Sequence, residues 1–309
     1  MFNRSPDSLA NIDYIGRFAP SPTGPLHFGS LLAALASYLD AKFHHGQWLI
    51  RIEDIDPPRE MFGATDLILK TLDTYGLFSD QNIIFQSQRS DVYQQALDQL
   101  IQHTSVFPCT CSRKQLADSA GIHFGDCLSL VQESASQPFA WRFNSQQITT
   151  DNPQSHASFY DHLQGDFSQS IANSIGDFVV RRKDQLWAYQ LAMVVDDFQQ
   201  GITHVVRGID LIDSTLRQNM LQCALNYPAP KYAHIPVACA ENGQKLSKQN
   251  LAPGLNLDHP QDAIWRALSW LRQSPPEKLR NASVKEMLSW AIAHWQPLKL
   301  QHVQSQTAI

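Results

Sequence analysis

Long apolar runs are missing from this chain of 309 residues. No segment approaches the roughly 20 apolar residues that a membrane-crossing helix needs. The opening Met1-Phe-Asn-Arg-Ser-Pro-Asp7 lacks the apolar core of a secretory signal. The expectation is a cytoplasmic protein with no membrane partner. Charge is also sparse: 17% of residues are Asp, Glu, Lys or Arg, and the net charge is −5 at pH 7. An acidic balance argues against indiscriminate binding to nucleic acid and leaves room for a local basic surface. Cysteine is scarce, with five residues, which in a cytosolic chain points away from a disulfide framework. Cys223 and Cys239 stand alone and read as small core residues. Internal repeats and low-complexity tracts are absent. What is present, 43% hydrophobic side chains over this length, suffices for one large or two modest domains with a well-filled core.

The first hundred residues alternate strand-like patterns (14–18, 48–52, 83–85) with helix-like ones (31–43, 65–75, 92–101). This βαβα order predicts an α/β domain with a parallel sheet covered by helices. Its ligand site should lie at the carboxyl ends of the strands, where Arg17 and Glu53 fall. From 108 to about 176 the alternation breaks; Cys, Gly, Ser and Gln become frequent, and the strand 140–143 stands isolated. Alternation resumes with strands at 178–181 and 204–207 and helices at 188–196 and 215–225, followed by helices at 263–271 and 284–295. The simplest division is a split nucleotide-binding domain (1–107 and 177–238), an insertion (108–176) and a C-terminal region of a loop and helices (239–309).

Within this frame, Arg17-Phe-Ala-Pro-Ser-Pro-Thr-Gly-Pro-Leu-His-Phe-Gly-Ser30 leaves a strand, crosses a Pro/Gly turn and opens into the helix from Leu31. A tight turn that presents free N–H groups at a helix start suits phosphate. His27 adds a donor there, and Gly29 lets a ligand approach the backbone closely. Far along the chain, Lys245-Leu-Ser-Lys-Gln-Asn250 is a second phosphate-suited element. Lys245 and Lys248 offer cations suited to phosphate, with Ser247 between them and Gly243 allowing the loop to move. Arg17 and Arg207 offer guanidinium groups that match carboxylates in a bidentate manner. Glu53 offers the opposite charge for an ammonium group, and Tyr189 a hydroxyl. Cys109, Cys111 and Cys127 with His123 form a four-ligand set suited to tetrahedral structural zinc, with Asp126 and His103 as alternative ligands. Such a metal would stabilise an insertion that has little core of its own. Asp196-Asp197 reads as a helix-end acidic pair rather than a magnesium site. His44-His45 reads as a helix end before Gly46, and Trp265, Trp270, Trp290 and Trp295 as packing for the terminal helices.

The two phosphate elements resemble the signatures of class I aminoacyl-tRNA synthetases: the "HIGH" element (here His27-Phe-Gly-Ser30) and the "KMSKS" element (here Lys245-Leu-Ser-Lys-Gln249). The flanking Arg17–Gly24 and Arg51-Ile-Glu-Asp-Ile-Asp56 are similar to the glutamyl-tRNA synthetase branch, and the resemblance runs from about Ile15 to Asn250. It implies a Rossmann-like class I catalytic domain with a zinc-containing insertion and a short helical C-terminal region. L-glutamate would be held by Arg17, Ser21, Glu53, Tyr189 and Arg207. ATP, as substrate with Mg2+, would be held by His27, Gly29, Ser30, Lys245, Ser247 and Lys248, with His27, Lys245 and Lys248 acting in catalysis. One structural Zn2+ per chain would sit on Cys109, Cys111, His123 and Cys127.

A full-length glutamyl-tRNA synthetase continues beyond the second signature into helical domains that read the anticodon, whereas this chain stops soon after Asn250. In this it resembles the truncated paralogues of that branch. They imply tRNA-independent activation of glutamate, then its transfer to queuosine in the anticodon loop of tRNA(Asp), carried out by a monomer. The alternatives are a minimal enzyme that charges tRNA(Glu) and a noncatalytic RNA-binding paralogue. Intact His27, Lys245 and Lys248 speak against the last.

Overall fold

The structure, a computed structural model, describes residues 14–112, 114–116, 121–123, 125, 138–148, 156–239 and 253–307. Strand β1 (Ile15–Phe18) leads into helix α1 (Phe28–Phe43), β2 (Gln47–Ile52), α2 (Ala64–Thr74), β3 (Ile84–Phe85) and α3 (Ser90–Gln102). The three strands pair in parallel in the order β1-β2-β3. β2 is buried on both faces from Trp48 to Ile52, the pattern of a strand covered by helices on either side. α1 earns its place against the sheet through Leu31, Leu35 and Leu39, spaced four apart on one face, with Ala34 and Ala41 letting the backbones approach.

Its end is tightly fitted. A β-carbon on Gly46 would stand 2.3 Å from the carbonyl oxygen of Tyr14. Gly46→Ala is therefore expected to lower stability by about 1–3 kcal/mol, read as a lower urea midpoint with an unchanged slope.

The stretch that follows is distributed over two sheets. β4 (Val106–Cys109), β5 (Ala140–Phe143) and, further on, β8 (Phe178–Arg181) form an antiparallel sheet with β5 in the middle. The strand expected to stand isolated is thus a central one. Its partners lie tens of residues away on either side, and one of them contains Pro108, so no local pattern announces the pairing. Between them runs an antiparallel hairpin, β6 (His156–Asp161) and β7 (Gly165–Ser170). Asp161 closes its corner: Oδ1 accepts from the amides of Leu163 and Gln164, both at 2.9 Å, as aspartate does in turns.

After β8 come α4 (Tyr189–Gln199), β9 (His204–Gly208), α5 (Ile212–Leu225) and β10 (Lys231–Ile235). β9 and β10 are parallel and extend the hairpin into a four-stranded sheet, β7-β6-β10-β9. The two parallel systems meet where β1 and β9 run side by side. There the Thr203 amide donates to the Ile15 carbonyl at 2.9 Å, and the Ile15 amide donates to Thr203 Oγ1 at 2.8 Å.

β11 (Val237–Cys239) pairs with the late strand β12 (Ser305–Thr307); between them lie α6 (Pro260–Trp270) and α7 (Val284–Ala293). These terminal helices share one core with α1, in which Trp270 and Trp295 are buried and Trp265 and Trp290 partly so. Trp295 Nε1 donates to Asp40 of α1 at 2.8 Å. Among the described residues no helix is long and apolar enough to cross a membrane.

Candidate active site

β1 and β9 are neighbouring strands from which the chain departs in opposite directions, through α1 to β2 and through α5 to β10. Open α/β sheets bind ligands in the crevice at the carboxyl ends of such strands. Here that crevice is a cavity of about 360 Å³. Arg17, Ser21, His27, Gly29, Ser30, Glu53, Tyr189 and Arg207 all line it, so the structure brings together every expected ligand of glutamate and the first half of the ATP set. Lys245, Ser247 and Lys248 lie outside the described residues.

His27 is the N-cap of α1, in an extended conformation, and its Nδ1 accepts from the Ser30 amide at 3.3 Å. Acceptance at Nδ1 leaves the ring proton on Nε2 as a donor. The cap moves the helix start: α1 begins at Phe28, not after Ser30, and Ser30 sits in its first turn with its amide held by the imidazole. The amides of Phe28 and Gly29 precede the first intrahelical bond, Leu31 N–H to His27 O at 3.0 Å, and are the donors suited to phosphate. The turn is braced from the C-terminal region by Leu255, whose amide donates to the Leu26 carbonyl at 2.9 Å.

Arg17 and Arg51 are buried, which demands partners. Arg17 presents Nε and Nη2 to the two oxygens of Asp197 at 3.2 and 3.4 Å. Arg51 gives Nη2 to Asp197 at 2.8 Å and Nη1 to Gln200 at 2.7 Å. The neighbouring Asp196 accepts from Gln86, Arg89 and Tyr93 at 2.7, 2.6 and 2.8 Å. Asp196 and Asp197 do stand in the last turn of α4, and there they are buried anchors for these donors. The Glu53 carboxylate, by contrast, is underserved. Ser21 Oγ donates to Oε2 at a long 3.4 Å, and Oε1 is buried with no hydrogen-bond partner. Burial pushes the Glu53 carboxyl up to about 7 against the pull of Arg51 and Arg17.

Arg207 lies at the end of β9, buried. Its Nε donates to His234 Nε2 at 3.1 Å, and its Nη2 donates to Thr215 Oγ1 at 2.7 Å and to the Leu211 carbonyl at 3.3 Å. Its Nη1 is buried with no partner. Arg207 and Glu53 both line the cavity, and each keeps one buried atom without a hydrogen-bond partner, Nη1 and Oε1. Their opposite charges match a ligand that carries both a carboxylate and an ammonium group.

The cysteine-histidine cluster forms a separate centre. The ligating atoms of Cys109, Cys111 and His123 all lie within 4.8 Å of one another; Cys127 and the alternative ligand Asp126 fall outside the described residues, and His103 caps the end of α3. Cys109 Sγ and His123 Nε2 are 3.6 Å apart. That is the edge of a tetrahedron with metal–sulfur and metal–nitrogen bonds of about 2.3 and 2.0 Å. The surroundings fit too. Asp177 faces His123 Nδ1 at 3.0 Å, leaving Nε2 for a metal, and Arg142 Nε and the Cys111 amide approach Cys109 sulfur at 3.2 and 3.4 Å, as suits a thiolate. The donor set fits a structural metal ion.

Residues 15–281 match the catalytic domain of the class I tRNA synthetases (E and Q). The chain belongs to this family. Among its relatives, a protein of Vibrio vulnificus (strain YJ016) named glutamyl-Q tRNA(Asp) synthetase is 46% identical over 93% of this chain and 91% of its own length. One of the same name from Ectopseudomonas mendocina (strain ymp) is also 46% identical, over 94% and 96%. In solved structures the fold is that of the glutamate-tRNA synthetase from Elizabethkingia anophelis, with a TM-score of 0.78 over 96% of this chain and 68% of that one, at 23% identity.

The expected glutamate and ATP residues that are described line the cavity, and the residues that hold them in place were not expected from the sequence. Asp197, which grips Arg17, shows in the sequence only as a helix-end acid. Thr215 and His234, which grip Arg207, carried no motif. The available signal was a histidine in the otherwise core-forming strand β10, where a polar side chain with no exposure needs a buried partner.

Proposed function

We propose that this synthetase activates L-glutamate with ATP without needing tRNA, and then transfers the glutamyl group to queuosine in the anticodon loop of tRNA(Asp). As a member of the class I family it is an ATP-dependent ligase. The observation that carries the glutamate reading is that Arg17, Arg207 and Glu53 line one cavity beside the phosphate-suited turn at α1, with Arg207 Nη1 and Glu53 Oε1 buried and unpartnered. Arg17 and Arg207 receive carboxylates, Glu53 and Tyr189 face the ammonium group, and Ser21 supports Glu53.

The substrate supplies its own nucleophile. Its α-carboxylate attacks the α-phosphorus of ATP, and pyrophosphate leaves. His27 Nε2–H and the amides of Phe28 and Gly29 stabilise the phosphate oxygens from one side. Lys245, Ser247 and Lys248 are assigned to the other, and Mg2+ bound with the triphosphate supplies further positive charge. A queuosine hydroxyl then attacks the glutamyl carbonyl and AMP leaves. A second cavity, of about 450 Å³, shares Ser21, Thr23, Glu53 and Tyr189 with the first and is also lined by Arg59, Arg182 and Trp187. It is the assigned entry for the acceptor base. In this reading 1–107 and 177–238 carry the chemistry, 108–176 the metal, and 239–309 the lysine loop and helical support, in a cytoplasmic monomer.

The test is labelled glutamate with ATP and, in parallel, tRNA(Asp) with queuosine, tRNA(Asp) without it, and tRNA(Glu). Label retained only on the modified tRNA is expected. Label on the 3′ end of tRNA(Glu) would move the acceptor to that of a conventional synthetase, and absence of glutamate-dependent ATP–pyrophosphate exchange would sink the enzymatic reading.

Glu53 adds a pH signature. A buried carboxyl that titrates near 7 must be ionised to receive an ammonium group, so kcat/KM for glutamate in the exchange assay should rise with pH through about 7. Glu53→Gln should flatten that limb. The sign for stability is opposite: between its ordinary 4.5 and about 7, ionisation is costlier in the folded chain, so this group destabilises the ligand-free protein as pH rises through that window.

We assign zinc to Cys109, Cys111 and His123, with Cys127 as the fourth ligand. Metal analysis should return one zinc per chain; Cys109→Ser should lose it and lower the melting temperature, and chelation of the wild type should do the same. A chain without bound zinc whose melting is indifferent to chelator would remove the assignment.

A further inference from the structure

We propose that Asp161 and His234 form a positioning relay that holds the Arg207 guanidinium in the one orientation that turns Nη1 to the substrate carboxylate; the substrate side of this rests on the glutamate reading above. The geometry is continuous. Asp161 Oδ2 lies 2.5 Å from His234 Nδ1, and His234 Nε2 lies 3.1 Å from Arg207 Nε. Asp161 and His234 have no solvent exposure, so each must be satisfied inside the protein.

Both ends of the imidazole require the same tautomer. An arginine Nε–H can only donate, so His234 Nε2 must be the bare, accepting nitrogen, and Thr215 Oγ1 at 3.2 Å can donate to it as well. The ring proton then sits on Nδ1, where the carboxylate receives it. Burial and the adjacent Arg207 charge hold the imidazole below its ordinary value, so it stays neutral. With Nε held by His234 and Nη2 by Thr215 and Leu211, three of the five guanidinium N–H bonds are fixed by the protein. The remaining two are those of Nη1.

Asp161 sits on the hairpin β6–β7, and its other oxygen is already committed. Oδ1 accepts from the amides of Leu163 and Gln164 at 2.9 Å and of His234 at 3.1 Å. This makes Asp161→Asn a directed perturbation. The amide oxygen must stay with those backbone donors, so the amide nitrogen is forced against His234 Nδ1. The ring proton is then displaced to Nε2, where it confronts Arg207 Nε–H donor to donor.

The test uses the full chain. In wild-type protein, 15N NMR of ring-labelled histidine should show His234 protonated on Nδ1 alone; a proton on Nε2, or an imidazolium, overturns the relay. In ATP–pyrophosphate exchange, His234→Leu and Asp161→Asn should each raise KM for glutamate at least tenfold and leave KM for ATP within twofold. His234→Gln should recover most of the loss, since its amide oxygen accepts from Arg207 while its amide nitrogen donates to Asp161. Equal KM for glutamate in the Leu and Gln variants overturns the relay, because a merely structural role does not distinguish them. A wild-type chain with the Nδ1 tautomer and no glutamate-dependent exchange overturns the glutamate reading instead. The NMR result stands even if a variant fails to fold.

Discussion

Replacing Asp197 by alanine is expected to cost about 3–5 kcal/mol of folding stability, because it leaves two interior guanidinium groups without their shared carboxylate. Arg17 and Arg51 both close on Asp197, at 3.2 and 2.8 Å, and neither has solvent to fall back on. Urea unfolding at neutral pH reads the loss; a change within about 0.5 kcal/mol would show that water or relaxation replaces the carboxylate. Acid supplies an independent check. Burial alone would favour the neutral acid, yet Arg17 and Arg51 hold the Asp197 carboxyl below its ordinary 3.8. A depressed carboxyl stabilises the fold above that ordinary value and loses the contribution as pH falls through its folded value. The wild type should therefore lose stability on acidification below about 3.8, and the alanine variant should show a shallower acid limb.

The second large effect concerns substrate. Arg207→Gln removes the guanidinium charge of a cavity-lining residue, including its unpartnered Nη1. Loss of one member of a buried, hydrogen-bonded charge pair costs about 2–5 kcal/mol. kcat/KM for glutamate should accordingly fall on the order of 10²–10³-fold, with KM for ATP little changed. An unaltered glutamate dependence would mean that the carboxylate is received elsewhere, with Arg17 the first candidate.

The parts of this molecule that were legible in its sequence are those with a local cause. The alternation through β1, α1, β2, α2, β3 and α3 is written in apolar spacing, and each element lies within a few residues of its expected span. The residues around the cavity at the ends of β1 and β9 were legible for a different reason: carboxylate and phosphate recognition restrict the choice of side chains, and the motifs resembling a known family supplied their order. Partnerships formed only in the folded chain were not legible. β5 takes its place from β4 and β8, distant in sequence. The hairpin β6–β7 is mostly polar, with exposed positions alternating along β6, so it lacks the apolar face that marks a core strand. Asp197 looked like a helix-end acid because nothing near it in sequence shows that Arg17 and Arg51 will close on it. His27 capped its helix three residues ahead of the expected start because its imidazole does what Ser, Thr, Asp or Asn more often does.

The shared carboxylate of Asp197 also bears on how the chain is made. It lies 180 residues after Arg17 and 146 after Arg51. As the polypeptide leaves the ribosome, β1 and β2 emerge long before α4, each carrying an interior arginine that still lacks the Asp197 carboxylate. The first parallel strands cannot be sealed at that stage without stranding charge, so the nascent N-terminal half should remain loosely collapsed, and its cooperative closure should follow the arrival of α4. Ribosome-stalled chains with residue 197 still inside the exit tunnel and already outside it would then differ abruptly in protease resistance, a step in vectorial folding set by a single ion-paired carboxylate.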